Sequence, residues 1–221
     1  MTPVARQLGD EWGVDLDAPV TLTARTLAAS TVRGFPVTWV MRYVFFGPPH
    51  AGDLTLAETG AILDAGLALV VVQHVRSPGW TAGPQLGASD GQWAARNAGV
   101  AGYAPGMGLF LVCDLEGVKN SGQAVAEHVD AWCQAVIAGG YAPALYVGYD
   151  CGLSPSELYD LPHVSRYLSD DANRTVAVRG TCALQYPEVT LSGVGTVEPD
   201  HAHPDALGGT LTGLCAAPDV S

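Results

Sequence analysis

Two runs in this sequence, Leu67-Ala-Leu-Val-Val-Val72 and Leu109-Phe-Leu-Val-Cys113, are apolar at every position. A strand with one wet face alternates apolar and polar residues. A strand with no polar position is covered on both sides, as in a parallel sheet flanked by helices. Helix signals fall between these runs. Thr55-Leu-Ala-Glu58 is a capping box that predicts a helix to about Ala65, with Gly66 as its left-handed stop. Ser89-Asp-Gly-Gln92 repeats the pattern and predicts a helix to about Tyr103, ended by Pro105-Gly106. Asn120 or Ser121 caps another, in which Val125, Val129, Trp132 and Val136 form one apolar stripe that stops at Gly139-Gly140. Residues 21–31 predict a helix broken by Gly34-Phe-Pro36, and Ser154-Pro-Ser-Glu157 opens a short one.

Strand signals centre near residues 13, 40, 70, 111, 146, 166, 184 and 197. Their alternation with helices predicts an α/β fold of βαβ units around a parallel sheet. Eight strands favour a modified TIM-like (β/α)8 barrel, with short or missing helices in the last units. A length of 221 residues suits one barrel domain over 1–221, with a core at about 12–214, and a 48% hydrophobic, 14% charged composition is that of a globular chain. The net charge of −12 argues against nucleic acid or an anionic membrane as partner. Five scattered cysteines without a CxxC predict buried free thiols rather than disulfides or zinc. No signal peptide or membrane span is legible. That predicts a cytoplasmic or virion-associated protein, or one released by another route.

In such barrels the site lies at the C-terminal strand ends. Those ends carry Asp15 and Asp17, Arg42, Gln73 and His74, Asp114 and Glu116, Tyr149 and Asp150, Gln185 and Tyr186, and Glu198 and Asp200. Asp114 and Glu116 are two residues apart and share a strand face. Converging carboxylates raise one another's pKa, and a carboxyl that keeps its proton near neutral pH is what a general acid for glycoside cleavage needs. Asp17 and Asp150 also fit turn or capping roles. Tyr43 and Trp80 are candidate sugar-stacking aromatics; Trp12, Trp39, Trp93 and Trp132 are expected in the core. His201 and His203 with Asp205, or Asp15 with His74 and the histidine pair, would be needed for a metal-dependent hydrolase. The preferred expectation is no metal and no cofactor.

Gly13-Val-Asp15, Val40-Met-Arg42-Tyr43, Leu54-Thr-Leu-Ala-Glu58, Val112-Cys-Asp114-Leu-Glu116, Gly140-Tyr-Ala-Pro-Ala-Leu-Tyr146, Gln185-Tyr186 and Val197-Glu-Pro-Asp200 follow one another in a particular order. In that order they resemble the glycoside hydrolase-like proteins classed as domain of unknown function 1906, relatives of the family 25 lysozymes (N-acetylmuramidases). The resemblance spans about residues 12–205 and implies a barrel whose acidic groove acts on peptidoglycan glycan. It implies Glu116 as proton donor, Asp114 as support for the oxocarbenium-like state or the acetamido group, and Asp15 and Asp200 as the acidic floor. Arg42, Tyr43, Gln73, His74, Trp80, Tyr149, Gln185 and Tyr186 are the expected substrate-binding residues. The last strand departs from the lysozymes, which tend to have an acid followed closely by Asn. The alternative is a catalytically inactive barrel that binds glycan or serves as an assembly module for a protein partner, in a phage particle or secretion apparatus.

Overall fold

The structure, a computed structural model, describes residues 2–148, 150–171 and 176–218. Eight strands close a barrel: β2 (Glu11–Asp15), β4 (Phe35–Val44), β5 (Ala68–Gln73), β6 (Phe110–Asp114), β7 (Ala142–Tyr146), β8 (Tyr167–Asp170), β9 (Ala183–Gln185) and β11 (Gly195–Ala202). From β2 through β9 all neighbours are parallel. The eighth, β11, is antiparallel to both β9 and β2, so the barrel is mixed where the sequence predicts a parallel one. The reason is length. Only residues 186–194 join β9 to β11, too few for a crossover. They form instead a hairpin in which β10 (Val189–Leu191) pairs with the start of β11.

Three long helices pack outside the parallel arc: α2 (Leu56–Asp64), α3 (Pro84–Val100) and α4 (Gln123–Ala138). Two single turns, α1 (Ala24–Ala28) and α5 (Pro155–Tyr159), serve the other units. Helix α3 begins five residues before the predicted Ser89, because Pro84 supplies a ready-made first turn after Gly83. At α2 the Thr55 hydroxyl accepts from Glu58 N–H at 3.2 Å, yet the Glu58 carboxylate turns inward to Arg42 instead of completing the box. Ser154 and Glu157 do form a reciprocal capping box at α5. The predicted stripe on α4 is fully buried. Gly87 and Gly91 let α3 approach α4 closely; a Cβ at Gly91 would lie 2.5 Å from the Trp132 carbonyl oxygen.

Strand alternation sorts the wall into two faces. Val14, Val40, Leu69, Val71, Leu111 and Leu145 point to the helices. Trp39, Met41, Val70, Val72, Val112, Ala144, Tyr146 and Leu168 fill the barrel. The chain ends pair as β1 (Pro3–Gln7) with β12 (Thr212–Ala216), and Leu8 and Leu211 join the interior cluster there. Near the antiparallel seam an aromatic stack covers the wall: the Trp12 ring lies 4.6 Å from His201 and 5.5 Å from Phe35, both nearly coplanar. A short strand β3 (Thr31–Val32) hairpins onto β4 through Arg33 and Gly34, both at positive φ, and Arg33 lies 4.4 Å over the Tyr186 ring. Four of the five cysteines are buried and all are free thiols. Among the described residues, no helix is long and apolar enough to cross a membrane.

Candidate active site

On six of the barrel strands the inward row runs from apolar filling to a polar side chain at the mouth. On β2 it is Asp15, on β4 Tyr43, on β6 Asp114, on β7 Tyr146, on β9 Gln185 and on the reversed β11 Glu198. A cavity of about 200 Å³ opens here, lined by Tyr43, His74, Asp114, Glu116, Tyr146, Gln185 and Glu198, with Asp17 at its rim and Met41 and Val72 below. A second cavity of about 290 Å³ adjoins it through Asp17, Tyr43 and Glu198, and adds Asp15 and Glu188.

Asp114 accepts the Glu116 backbone N–H at 2.9 Å, which turns the chain at the end of β6 and brings the Glu116 side chain over Gly148. Gly148 has φ +47° and no room for a Cβ beside the Glu116 carboxylate. Trp80 Nε1–H donates to the Glu116 carbonyl at 3.0 Å, tying the 74–83 loop to the same turn. Burial pushes the Asp114 carboxyl up to about 8, reinforced by the charges of Glu116 and Glu198 and opposed by the Glu116 N–H.

Asp15 is 1% exposed and is the acceptor at the centre of the cluster. Tyr43 Oη–H donates to its Oδ1 at 3.1 Å, Gln185 Nε2–H donates to its Oδ2, and Glu198 and Asp200 also hydrogen-bond to it. Burial raises Asp15 to about 6, against the pull of these four bonds. Glu198 is pushed up to about 8 by burial and then by the Asp15 charge. Asp200 rises well above the carboxylate range through burial and the charges of Asp15 and Glu198. Asp15 is thus the acceptor of this cluster, and the raised proton affinities of Glu198, Asp200 and, across the cavity, Asp114 favour their protonated forms.

The reversal of β11 decides which of its acids meets the cavity. Glu198 stands opposite Asp15, at the mouth; Asp200 stands opposite Gly13, one layer deeper, 1% exposed and absent from both cavity walls. Glu198 is therefore the acid that strand-end reasoning on a parallel barrel undervalues. Alternation along β11, combined with the short 186–194 connection, was the signal for it.

The expected binding residues divide. Tyr43, His74 and Gln185 line the cavity. His74 stacks on Tyr43 at 4.7 Å, with Asp53 at 3.4 Å and Asp17 at 4.0 Å, and burial lowers its pKa against those two charges. Arg42 and Gln73 face outward, not into the site. Arg42 is fully buried, its Nε 2.7 Å from Glu58 Oε1, and it donates to the Leu16 and Gly52 carbonyls. Gln73 donates to the Asp90 carbonyl at 2.7 Å and accepts from Trp132 Nε1–H at 2.8 Å, joining β5 to α3 and α4. Both sit one residue out of step with the inward positions of their strands. Trp80 packs beside His128 at 5.2 Å, and Tyr186 stacks with Trp12 at 5.3 Å, so neither lines the cavities. Tyr149 lies outside the described residues. Asp150 is exposed. His201 is 2.6 Å from Asp10 and stacks on Trp12, on the outer wall. Among the described residues no three His, Cys, Asp or Glu side chains group as a metal centre.

A profile of the family described as "Rv2525c-like, glycoside hydrolase-like domain" matches residues 30–189. The chain belongs to this family. No curated protein matches it. The fold is that of the Tat-secreted protein Rv2525c of Mycobacterium tuberculosis (14% identity, 90% of this chain and 98% of that one, TM-score 0.64). It is also similar to a family 25 glycosyl hydrolase from Bacillus anthracis (14%, 88% and 89%, TM-score 0.57). A bacterial lysozyme from Streptomyces coelicolor shares it too (12%, 90% and 94%, TM-score 0.58).

Proposed function

We propose that this protein is a glycosidase acting on the glycan strands of peptidoglycan, with Glu116 as general acid. The observation that carries the reading is the convergence of Asp114, Glu116 and Glu198 on one cavity at the barrel mouth, where burial pushes the two neighbours of Glu116, Asp114 and Glu198, up to about 8. Glycoside cleavage needs a carboxyl that arrives protonated and a second group that steadies positive charge at the anomeric carbon. Glu116, on the turn after β6, gives its proton to the leaving oxygen. Asp114, whose raised proton affinity keeps a proton at this turn, donates to the acetamido group. Asp200 lies beneath, as support for Asp15 and Glu198, while the Asp15 carboxylate, on the wall of the adjoining cavity, supplies negative charge for the oxocarbenium-like carbon. The likeness to a lysozyme and a family 25 hydrolase supports the substrate class.

The test is release of reducing ends from purified peptidoglycan by the wild type and by Glu116→Gln. A loss of about 10²–10⁴-fold in the variant is expected. Equal rates, or none in the wild type, refute the reading. A second reading, a non-catalytic glycan-binding or assembly module, draws on the aromatic lining among the described residues: Tyr43 and Tyr146 are the tyrosines of the first cavity, while Trp80 is turned to His128. It predicts that the wild type sediments with peptidoglycan and releases nothing.

A further inference from the structure

Gln185 is the neutral side chain among the acids. It ends β9, directly opposite Asp200 on β11 and beside Asp170 on β8. Its Oε1 accepts from Tyr146 Oη–H at 2.6 Å. Its Nε2 donates to Asp15 and, at 3.3 Å, to Glu198 Oε2.

These bonds fix the amide in one orientation. Burial and the charges of Glu116, Asp114, Asp170 and Asp200 raise the Tyr146 pKa far above its ordinary value, so the phenol stays a donor. A donor phenol demands the amide oxygen on its side. The NH₂ must then face the two carboxyls, and it has one N–H for each. A flipped amide would set a carbonyl oxygen against Asp15 and Glu198 and an N–H against a phenol O–H.

We propose that Gln185 is a positioning residue: its amide, turned by Tyr146, holds the Asp15 and Glu198 carboxyls at a fixed spacing and supplies one N–H to each. The amide links the β7 side of the cavity to the β2–β11 side. It keeps Asp15 the acceptor of the cluster, so that Glu198 holds its proton in the hydrogen bond to Asp15. Both N–H groups of the amide are engaged in this way, which leaves Gln185, on the cavity wall, one oxygen lone pair to offer a ligand. The inference rests on the glycosidase reading only for its effect on rate; its effect on proton occupancy stands without turnover.

The groups that face this cluster are Asp15 from β2, Asp17 just after it, Tyr43 from β4, Asp114 and Glu116 from the end of β6, Tyr146 from β7, Asp170 from β8, Glu188 from the 186–194 connection, and Glu198 and Asp200 from β11. The experiment follows the carboxyl carbons of ¹³C-labelled Asp and Glu by NMR from pH 4 to 9 in the wild type, Gln185→Leu, Gln185→Glu and Tyr146→Phe. In Gln185→Leu the Asp15 step moves up by about one pH unit, a tenfold gain in proton affinity, because a donor to the anion is gone. Gln185→Glu, which can offer a single O–H only while protonated, reproduces the wild-type Asp15 step at the acid end and departs from it as pH rises. Tyr146→Phe, which frees the amide to flip, moves the Asp15 step in the same direction as Gln185→Leu and by less. Where the wild type turns over peptidoglycan, the pH optimum shifts with the titration and the loss falls on kcat more than on KM. Titrations of Gln185→Leu and Gln185→Glu that superimpose on the wild type, with the fold retained by circular dichroism, overturn the positioning role. Shifted titrations without any wild-type turnover overturn the glycosidase reading and leave the positioning role standing.

Discussion

Replacing Arg42 by methionine should destabilise the fold by about 3–5 kcal/mol. The guanidinium and the Glu58 carboxylate are both completely buried and 2.7 Å apart. Arg42 also donates to the Gly52 carbonyl at 2.7 Å and to the Leu16 carbonyl, while Glu58 accepts the Val20 N–H at 2.8 Å. Methionine fills much of the aliphatic volume but leaves a buried carboxylate without its cation and two carbonyls without donors. Each orphaned neutral group costs about 1–3 kcal/mol and the stranded charge more, with strong non-additivity, which brings the whole to the range given. For a chain of this size the melting temperature should fall by about 6–20 °C. Urea titration measures the loss as a lowered midpoint at unchanged slope. Removing both partners, in Arg42→Met with Glu58→Leu, should recover most of the stability, since no buried charge is then left alone. A loss below about 1 kcal/mol for the single variant, or a double variant as unstable as the single, would refute the reasoning. The Leu16 and Gly52 segments that Arg42 ties down lead to Asp17 and Asp53, so the single variant should also loosen the wall that holds His74.

The raised carboxyls give stability a pH dependence of known sign. Asp114 rises from 3.8 and Glu198 from 4.5, each to about 8, so between about pH 4 and 8 the folded chain holds protons that the unfolded chain has released, and stability falls as pH rises. Asp114→Asn should flatten this slope and gain about 0.5–2 kcal/mol at pH 8, read from urea midpoints at pH 5 and 8; a steeper slope would contradict the burial argument. Gly148→Ala should push Glu116 off its place and cut glycan turnover by about 10²-fold while the far-ultraviolet dichroism is kept; unchanged turnover would mean that the Glu116 position is not critical. Trp132→Phe should cost about 1–3 kcal/mol by leaving Gln73 Oε1 buried without its donor, a loss that calorimetry would register.

Much of this protein was legible in the linear sequence because its signals are local. The apolar runs at 67–72 and 109–113 could only be strands covered on both faces. The Val125, Val129, Trp132 and Val136 spacing could only be a helix laid on a core. Asp114 and Glu116 were legible as a pair, although β6 ends at Asp114 and it is the turn capped by Asp114, not a common strand face, that brings Glu116 to the cavity. Tertiary structure decided what depends on direction and partner. Arg42 and Gln73 sit at strand ends as the sites of such barrels do, yet each is one residue out of step and spends its hydrogen bonds on Glu58, Asp90 and Trp132. Trp80 and Tyr186 found aromatic neighbours elsewhere. The short connection at 186–194 turned the last strand around, and that reversal placed Glu198 rather than Asp200 at the cavity. Period-two alternation says which residues share a face; the sense of the strand and the groups packed against that face determine which end meets the site, and these are properties of the closed barrel alone.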